Sequence, residues 1–431
     1  MRVILASDSY APVLDGVAVC VSHYARALRE SGDDCIVIAP HSGRDPASRG
    51  RLRALRAAPG SAAARSRTGR AKPAADETAP EAEIVHLDPM PIRFAAVSLP
   101  GFSPYRAGVP SVDVTFHREL RSELRRMGGP DIVHTHTPFA AGSEARRIAR
   151  HFRCPLVGTF HSKYRADIEA AGIHGAGRDL LLARIASFYR TCDEVWAPNA
   201  ATAGTLHEYG YRGAVRIMPN GTEFTAVSDA ERQVLRAECD RWLRPPAGIP
   251  MLLFVGQHRR EKNINLILEA LAILKAGGAR FHMIFAGSGR DDREIRQSAD
   301  DLGLDPVVTF LGRVSERRKL RQLYARADIF VFPSVYDNAP LVIREAAAFA
   351  CPSVLAAGSS AASDTIDGVD AVHAEPTAEA VARTLVELFA DSDRVRRLGS
   401  AARKRLSAPW GEVVAGARRR YAELAPGGLA R

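Results

Sequence analysis

Two acids, Asp337 and Glu345, stand eight residues apart in the stretch PSVYDNAPLVIREAAAF (Pro333–Phe349), with Pro340 between them. An apolar run, Ile329–Phe332, leads in, and an alanine-rich run leads out. The pattern predicts a strand, a turn and a helix. Proline is tolerated in the first turn of a helix, and Asp337 or Asn338 can cap it from the turn. The free N–H groups and positive dipole end of such a helix, which starts near Pro340, suit a diphosphate. Glu345, further down, can hold a ribose diol as acids do in dinucleotide sites. Asp337 at the mouth can accept from sugar hydroxyls. The plainer reading of the same residues is a capped helix with a solvated glutamate.

Other stretches carry residue types suited to the same ligand. Gly16 in GVAV opens a helix straight after the first strand. A glycine there lets the backbone approach a phosphate, although a simple turn would also use one. FVGQHRREKN (Phe254–Asn263) ends a strand in Arg259, Arg260 and Lys262, which fits phosphate neutralisation or a solvated charge run. AGSGR (Ala286–Arg290) places Gly287 in a glycine pair at another strand end. His134, His136 and His161 all fall at carboxyl ends of strands. A single histidine is more often structural, but three at strand tips are candidates for acceptor contacts or proton handling. Asp391 and Asp393 form a D-x-D at the start of a polar helix, where N-capping explains them better than a metal.

Short β-branched runs alternate with longer amphipathic ones along the chain, which predicts βαβ units and parallel sheets. The first series runs from RVILAS through DCIVIAP, EIVHL, DIVHTH, CPLVGTF and DEVWAP to VRIMPNG. RWLRPPAGIP (Arg241–Pro250) breaks the pattern and reads as a linker. MLLFVG, RFHMIFAG, VVTFLG, ADIFVFP and PSVLAA form the second series, and a helical tail follows from about Thr377 to Leu424, interrupted near Pro409. A chain of 431 residues exceeds one ordinary core. The expected organisation is an acceptor-side domain over 1–240, a linker over 241–250, a nucleotide-sugar domain over 251–405 and a tail over 406–431 packing back on the first domain. Ligands of open α/β sheets bind at the carboxyl ends of the strands, so the natural site is the cleft between the domains.

Hydrophobic content of 46% with 25% charged residues is ordinary for a soluble globular protein. None of the six cysteines forms a C-x-x-C, which indicates neither a zinc site nor a disulfide framework and fits a reducing cytoplasm. No run approaches the ~18–20 apolar residues of a membrane span, and MRVILASDSY reads as a first strand rather than a signal peptide. The net charge of +10 resembles a nucleic-acid footprint until it is located. Arg44–Lys72 holds nine Lys/Arg against the single acid Asp45. This segment of a low-complexity insertion (44–82) has no aromatic residue, and the rest of the chain is nearly balanced. No nucleic-acid partner is expected, and the insertion is a candidate for peripheral contact with an anionic membrane.

SYAPVLDGVAV, DIVHTHTPF, VGTFHSKY, IMPNGTEF, FVGQHRREKN, FAGSGR, VTFLGRVS and, most specifically, DNAPLVIREAAA together resemble the retaining family-4 glycosyltransferases of the GT-B fold. The likeness covers nearly the whole chain apart from the insertion. It implies two doubly wound Rossmann-like domains facing across a cleft. It implies donor-sugar contact at Asp337, ribose contact at Glu345, diphosphate contact at Lys262 and Gly16, and an active-site histidine at His161. Phe310–Gly312 would lie near the base, with Gly287, Asn338, Pro340 and Leu341 among the donor-binding residues and Tyr164 on the acceptor side with His134 and His136. Two positions depart from the family pattern. Asp337 stands where Glu is usual, shorter by one C–C bond of roughly 1.5 Å. Gln257 stands where an Arg usually faces the diphosphate, and Arg259 or Arg260 is the candidate to compensate.

The reading is a cytoplasmic enzyme that moves a hexose, mannose or glucose, from a UDP- or GDP-linked donor to a lipid or glycan hydroxyl with retention, without a metal or other cofactor. The alternatives are a sugar-nucleotide epimerase on the same fold and a non-catalytic polyanion-binding protein.

Overall fold

The computed structural model describes residues 1–13, 15–42, 91–98 and 106–425. The basic stretch Arg44–Lys72, the rest of the insertion and the strand expected at EIVHL lie outside them. The first domain contains β1 (Arg2–Ala6), β2 (Asp34–Pro40), β3 (Ile92–Phe94), a small antiparallel ribbon of β4 (Ala96–Ser98) and β5 (Arg106–Gly108), then β6 (Ile132–Thr135), β7 (Leu156–Thr159), β8 (Glu194–Ala197) and β9 (Arg216–Ile217). Its parallel sheet has the order β3-β2-β1-β6-β7-β8-β9. The second domain contains β10 (Met251–Val255), β11 (His282–Ala286), β12 (Val308–Gly312), β13 (Ile329–Phe332), β14 (Ser353–Ala356) and β15 (Ala371–Ala374), in the order β12-β11-β10-β13-β14-β15. The expected class, two doubly wound parallel sheets, is observed.

Strand order reverses between β1 and β6 in one sheet and between β10 and β13 in the other. A doubly wound sheet opens a crevice where its order reverses. The chain leaving β1 reaches Gly16, and that leaving β6 reaches His136. The chain leaving β10 reaches Lys262, and that leaving β13 reaches Asp337. The alternation of short apolar runs therefore brings residues far apart in sequence to two facing crevices.

Two sequence boundaries need correction. The stretch 241–250 is not linker throughout, because helix Asp229–Leu243 runs into it. That helix belongs to the second domain. Arg236 pairs with Asp328 at 3.1 Å, Arg232 donates to the Ala325 and Ala327 carbonyls, and Leu235 and Cys239 join the second core. The tail is broken twice, into helices Ala378–Ala390, Ser392–Leu406 and Trp410–Leu424. Asp391 caps the middle one by accepting from the Arg394 N–H at 2.8 Å.

The last helix returns to the first domain. Trp410, Val414, Ala417 and Tyr421 are buried with Val3, Tyr24 and Trp196. The Tyr421 ring stacks on Trp196 with centroids 5.4 Å apart, and Arg418 is salt-bridged to Asp33. Full burial of each large side chain contributes roughly 1.5–3 kcal/mol, so this crossing fastens the two domains. The outbound and inbound strands of chain meet where Thr222 bridges Pro409. Among the described residues no helix is long and apolar enough to cross a membrane.

Candidate active site

On the first domain's side, His161 follows β7 and is half-buried. Its Nε2 lies 2.9 Å from Nδ1 of His136, and the two rings are stacked. One nitrogen of this pair donates and the other accepts. Burial lowers the His161 pKa to about 4, so its ring is neutral at physiological pH and meets a ligand as a neutral hydrogen-bonding group. His136 stands behind it, 1% exposed, which moves it from acceptor contact to support of the His161 ring. His134 is corrected outright. It is fully buried, with Nδ1 2.6 Å from the Tyr421 hydroxyl and Nε2 2.6 Å from Thr159 Oγ1. Strand alternation turns it under the sheet, where it ties the last helix to β7. Tyr164 is likewise a core residue, packed with Phe160 and edge-on to Phe139, so its ring is not an acceptor surface. Gly16 begins helix Gly16–Glu30, which Asp15 caps by accepting from the Ala18 N–H. A Cβ at Gly16 would meet nothing within 4 Å, so the backbone there is open to a close approach.

Across the cleft, Lys262 pairs directly with Asp337, and Ser334 Oγ donates to the other Asp337 oxygen at 2.6 Å. The two are drawn from the loops after β10 and β13, the reversal point of the second sheet. Lys262 also lies 5.8 Å from the Phe332 ring centre. The two neighbouring cations differ. Arg260 is held by Glu294 at 2.7 Å, and Arg259 bonds Glu261 at 3.2 Å while remaining close enough to Asp167 and Tyr336 to act on their ionisation. Arg259, not Arg260, is therefore the cation left at the cleft to compensate for Gln257, which is exposed at the end of β10.

The expected cap is also corrected. Helix Leu341–Ala348 is led by Pro340 in an extended conformation with no side-chain cap. Asn338 instead spans the cleft, donating from Nδ2 to the His161 carbonyl at 2.6 Å. Two asparagines that the sequence reading passed over complete this staple. Asn199 donates to the Asn338 carbonyl at 2.8 Å, and Asn220 donates to the Ala339 carbonyl at 3.1 Å. Asn220 lies in the IMPNG motif, so a signal was available. Asn199 offers only the local signal of a helix cap, accepting from the Thr202 N–H at 2.9 Å. With no side chain on the first N–H groups of Leu341–Ala348, these donors stay free for an anion.

Glu345, 12% exposed, accepts from the Tyr324 hydroxyl at 2.8 Å and lies 3.8 Å from Arg317. It is not a solvated glutamate. Burial, the largest influence, raises its pKa, and the Arg317 charge and the Tyr324 hydrogen bond offset part of the rise. Gly287 and Gly312 both have positive φ, at +152° and +67°. Gly312 ends β12, beside Phe310, whose ring stacks on Phe285 at 4.9 Å under the Arg296 guanidinium. His258, also missed in the sequence, is buried against these rings and paired with Asp292.

A pH consequence follows from Glu345. Its folded pKa is raised, so the folded state holds this proton more tightly than the unfolded chain does. The stability it contributes is complete below the unfolded pKa and is lost as pH rises through the folded one. Glu345→Gln, uncharged throughout, is expected to keep or raise the Tm at neutral pH in a thermal melt. A drop of more than a few degrees would show that the carboxylate is a structural necessity.

Comparison with known proteins agrees with the two-domain fold. A model described as Glycosyltransferase Family 4 matches residues 14–226, and one described as Glycosyl transferases group 1 matches residues 241–405. The alpha-monoglucosyldiacylglycerol synthase of Streptococcus pneumoniae is 26% identical over 242 residues, 54% of this chain and 53% of that protein. The chain thus spans about half the length of that relative. A GDP-mannose-dependent alpha-mannosyltransferase of Corynebacterium glutamicum is 25% identical over 360 residues, covering 82% of this chain and 72% of that one. Among solved structures, the Anabaena protein Alr3699/HepE in complex with UDP superposes with a TM-score of 0.69 at 17% identity, covering 98% of this chain and 100% of that one. These relatives do not favour the epimerase alternative, and an enzyme family sets aside the non-catalytic one.

Proposed function

The chain belongs to the family-4 glycosyltransferases of the GT-B fold, and from that premise we propose that it transfers a hexose, mannose or glucose, from a nucleoside-diphosphate sugar to a hydroxyl of a lipid or glycan with retention of configuration. The observation that carries this reading is the meeting of Lys262 and Asp337 beside the loop that Asn338 pins to His161. A cation, an acid and a neutral imidazole are thereby gathered at one mouth of the cleft. The names of two relatives, a glucosyldiacylglycerol synthase and a GDP-mannose-dependent enzyme, support the substrate class.

The roles follow from the chemistry. The ammonium of Lys262 has three donors, so it can keep Asp337 and still neutralise a diphosphate oxygen. The free N–H groups of helix Leu341–Ala348 add to that stabilisation of the leaving group. Glu345 accepts from the ribose hydroxyls, Asp337 accepts from the sugar, and neutral His161 hydrogen-bonds the sugar from the opposite wall. As the bond from the anomeric carbon to the diphosphate breaks, its electron pair leaves with the phosphate. The acceptor oxygen bonds to that carbon on the same face, and its proton passes to a phosphate oxygen.

Lys262→Ala is expected to weaken UDP or GDP binding about 10–100-fold, since a charge-assisted hydrogen bond contributes roughly 1.5–3 kcal/mol. Isothermal titration with both nucleotides checks this and identifies the base. Unchanged affinity for whichever nucleotide binds would remove Lys262 from the site.

For the lipid acceptor, we place the membrane contact in Arg44–Lys72. Deleting that stretch is expected to spare turnover on a soluble acceptor and to reduce it on anionic vesicles, where each Lys or Arg near the surface contributes about 1 kcal/mol. Equal loss on both acceptors would make the stretch part of the catalytic domain.

A further inference from the structure

Cys20, His136 and His161 lie 116 and 25 residues apart in sequence, yet the fold brings one ligating atom from each within 4.8 Å of the others. Cys20 comes from the second turn of helix Gly16–Glu30, His136 from the end of β6 and His161 from the end of β7. Cys20 and His136 are buried, at 2% and 1% exposure, and His161 is half-buried on the cleft side. The nitrogens that meet are Nδ1 of His136 and Nε2 of His161; the Nε2 of His136 is buried without a hydrogen-bond partner, and it is the nitrogen that keeps the ring proton when Nδ1 ligates.

We propose that these three side chains form a site for a soft divalent metal ion of the zinc type, with its remaining position open to the cleft. A thiolate and two imidazoles are the donor set such ions prefer. Three protein ligands plus one open position is the arrangement of an accessible site rather than a closed structural one. The geometry needs little change. The two imidazole nitrogens are 2.9 Å apart, and two bonds of about 2.0–2.1 Å at a tetrahedral angle place them about 3.3 Å apart. The sulfur, within 4.8 Å of both nitrogens, closes by about 1.3 Å or less to reach the roughly 3.5 Å that tetrahedral bonds require. On binding, the thiol loses its proton to solvent, and the proton shared between the rings moves to a nitrogen that does not ligate. The ion then engages His161, so it inhibits transfer. That consequence rests on the proposed role of His161 in facing the sugar, whereas the binding does not.

Cobalt(II) titrated into the full chain, with a non-thiol reductant present, is the direct probe. The expected result is a near-ultraviolet sulfur-to-cobalt absorption band at one equivalent, displaced by zinc. Cys20→Ser and Cys20→Ala are both expected to lose the band and to weaken zinc binding at least about tenfold, while keeping basal transferase activity. Cys35→Ser, which alters another buried thiol, is expected to keep the band. Zinc should inhibit the wild-type chain and spare the Cys20 variants. Absence of the band, or equal zinc affinity with and without the Cys20 thiol, would overturn the site. A band confined to chains with Cys20, accompanied by transfer that zinc does not inhibit, would sustain the site and overturn instead the role given to His161.

Discussion

Asp337→Asn is expected to lower kcat by about 10²–10³-fold, the range found when one group aimed at developing charge is removed, with a smaller change in KM for the donor. The amide keeps the shape of the side chain but removes the charge that faces Lys262 and one of the two acceptor oxygens that Lys262 and Ser334 use. On the proposed reading, Asp337 holds the sugar whose charge changes during reaction, so its loss falls on the transition state. Glu345→Gln should fail differently. The ribose does not change in the reaction, so KM for the donor should rise about tenfold or more, with kcat nearly unchanged. Asp337→Glu restores the acid usual in the family and should stay active or alter sugar choice. Steady-state kinetics on the three variants, with circular dichroism to confirm folding, decides the matter. Untouched kinetics in both amide variants would mean that Asp337 and Glu345 only support the loop between β13 and its helix.

Gly287→Ala is expected to cost about 3–5 kcal/mol, combining backbone strain with an unrelieved overlap. Gly287 has φ +152°, and a Cβ there would lie 1.8 Å from the Gly256 carbonyl oxygen. That atom is backbone, so no rotamer change removes the clash. Gly256 begins the loop that carries Lys262, so activity should fall together with a Tm lower by about 10 °C. Gly277→Ala is the contrast. Its φ is −77°, and its Cβ would meet carbonyl oxygens at 3.5 and 3.6 Å, an ordinary contact. It should change Tm little or raise it slightly. Equal melting of the two variants would refute this account of the β10–β11 crossing.

The lesson of the candidate site is uneven. The placement of Glu345 was legible because the apolar strand Ile329–Phe332 and the alanine-rich helix bracket it within one local segment, and that of Lys262 because it follows a comparable strand. The role of Asn338 was not. As a helix cap it satisfied every local criterion, yet its side chain is 2.6 Å from the carbonyl of a residue 177 positions away. The family pattern also made Arg259 and Arg260 equal candidates. Glu294, on a helix that sequence reading could not place beside them, withdraws only Arg260.

Taken alone, the order of residues determined the alternation of strands and helices, hence two parallel sheets, and the strand ends at which polar residues must gather. Those features repeat over two to four residues and are set by local geometry. Tertiary structure decided which strand ends face one another and which side of the sheet each histidine occupies. His134 and His136 are two residues apart, yet one is locked to Tyr421 across 287 positions and the other supports His161 and gathers Cys20. Spacing constrains neighbours on one element, whereas contacts between elements follow from sheet order and from the helix that returns to the first domain, and no local periodicity records either.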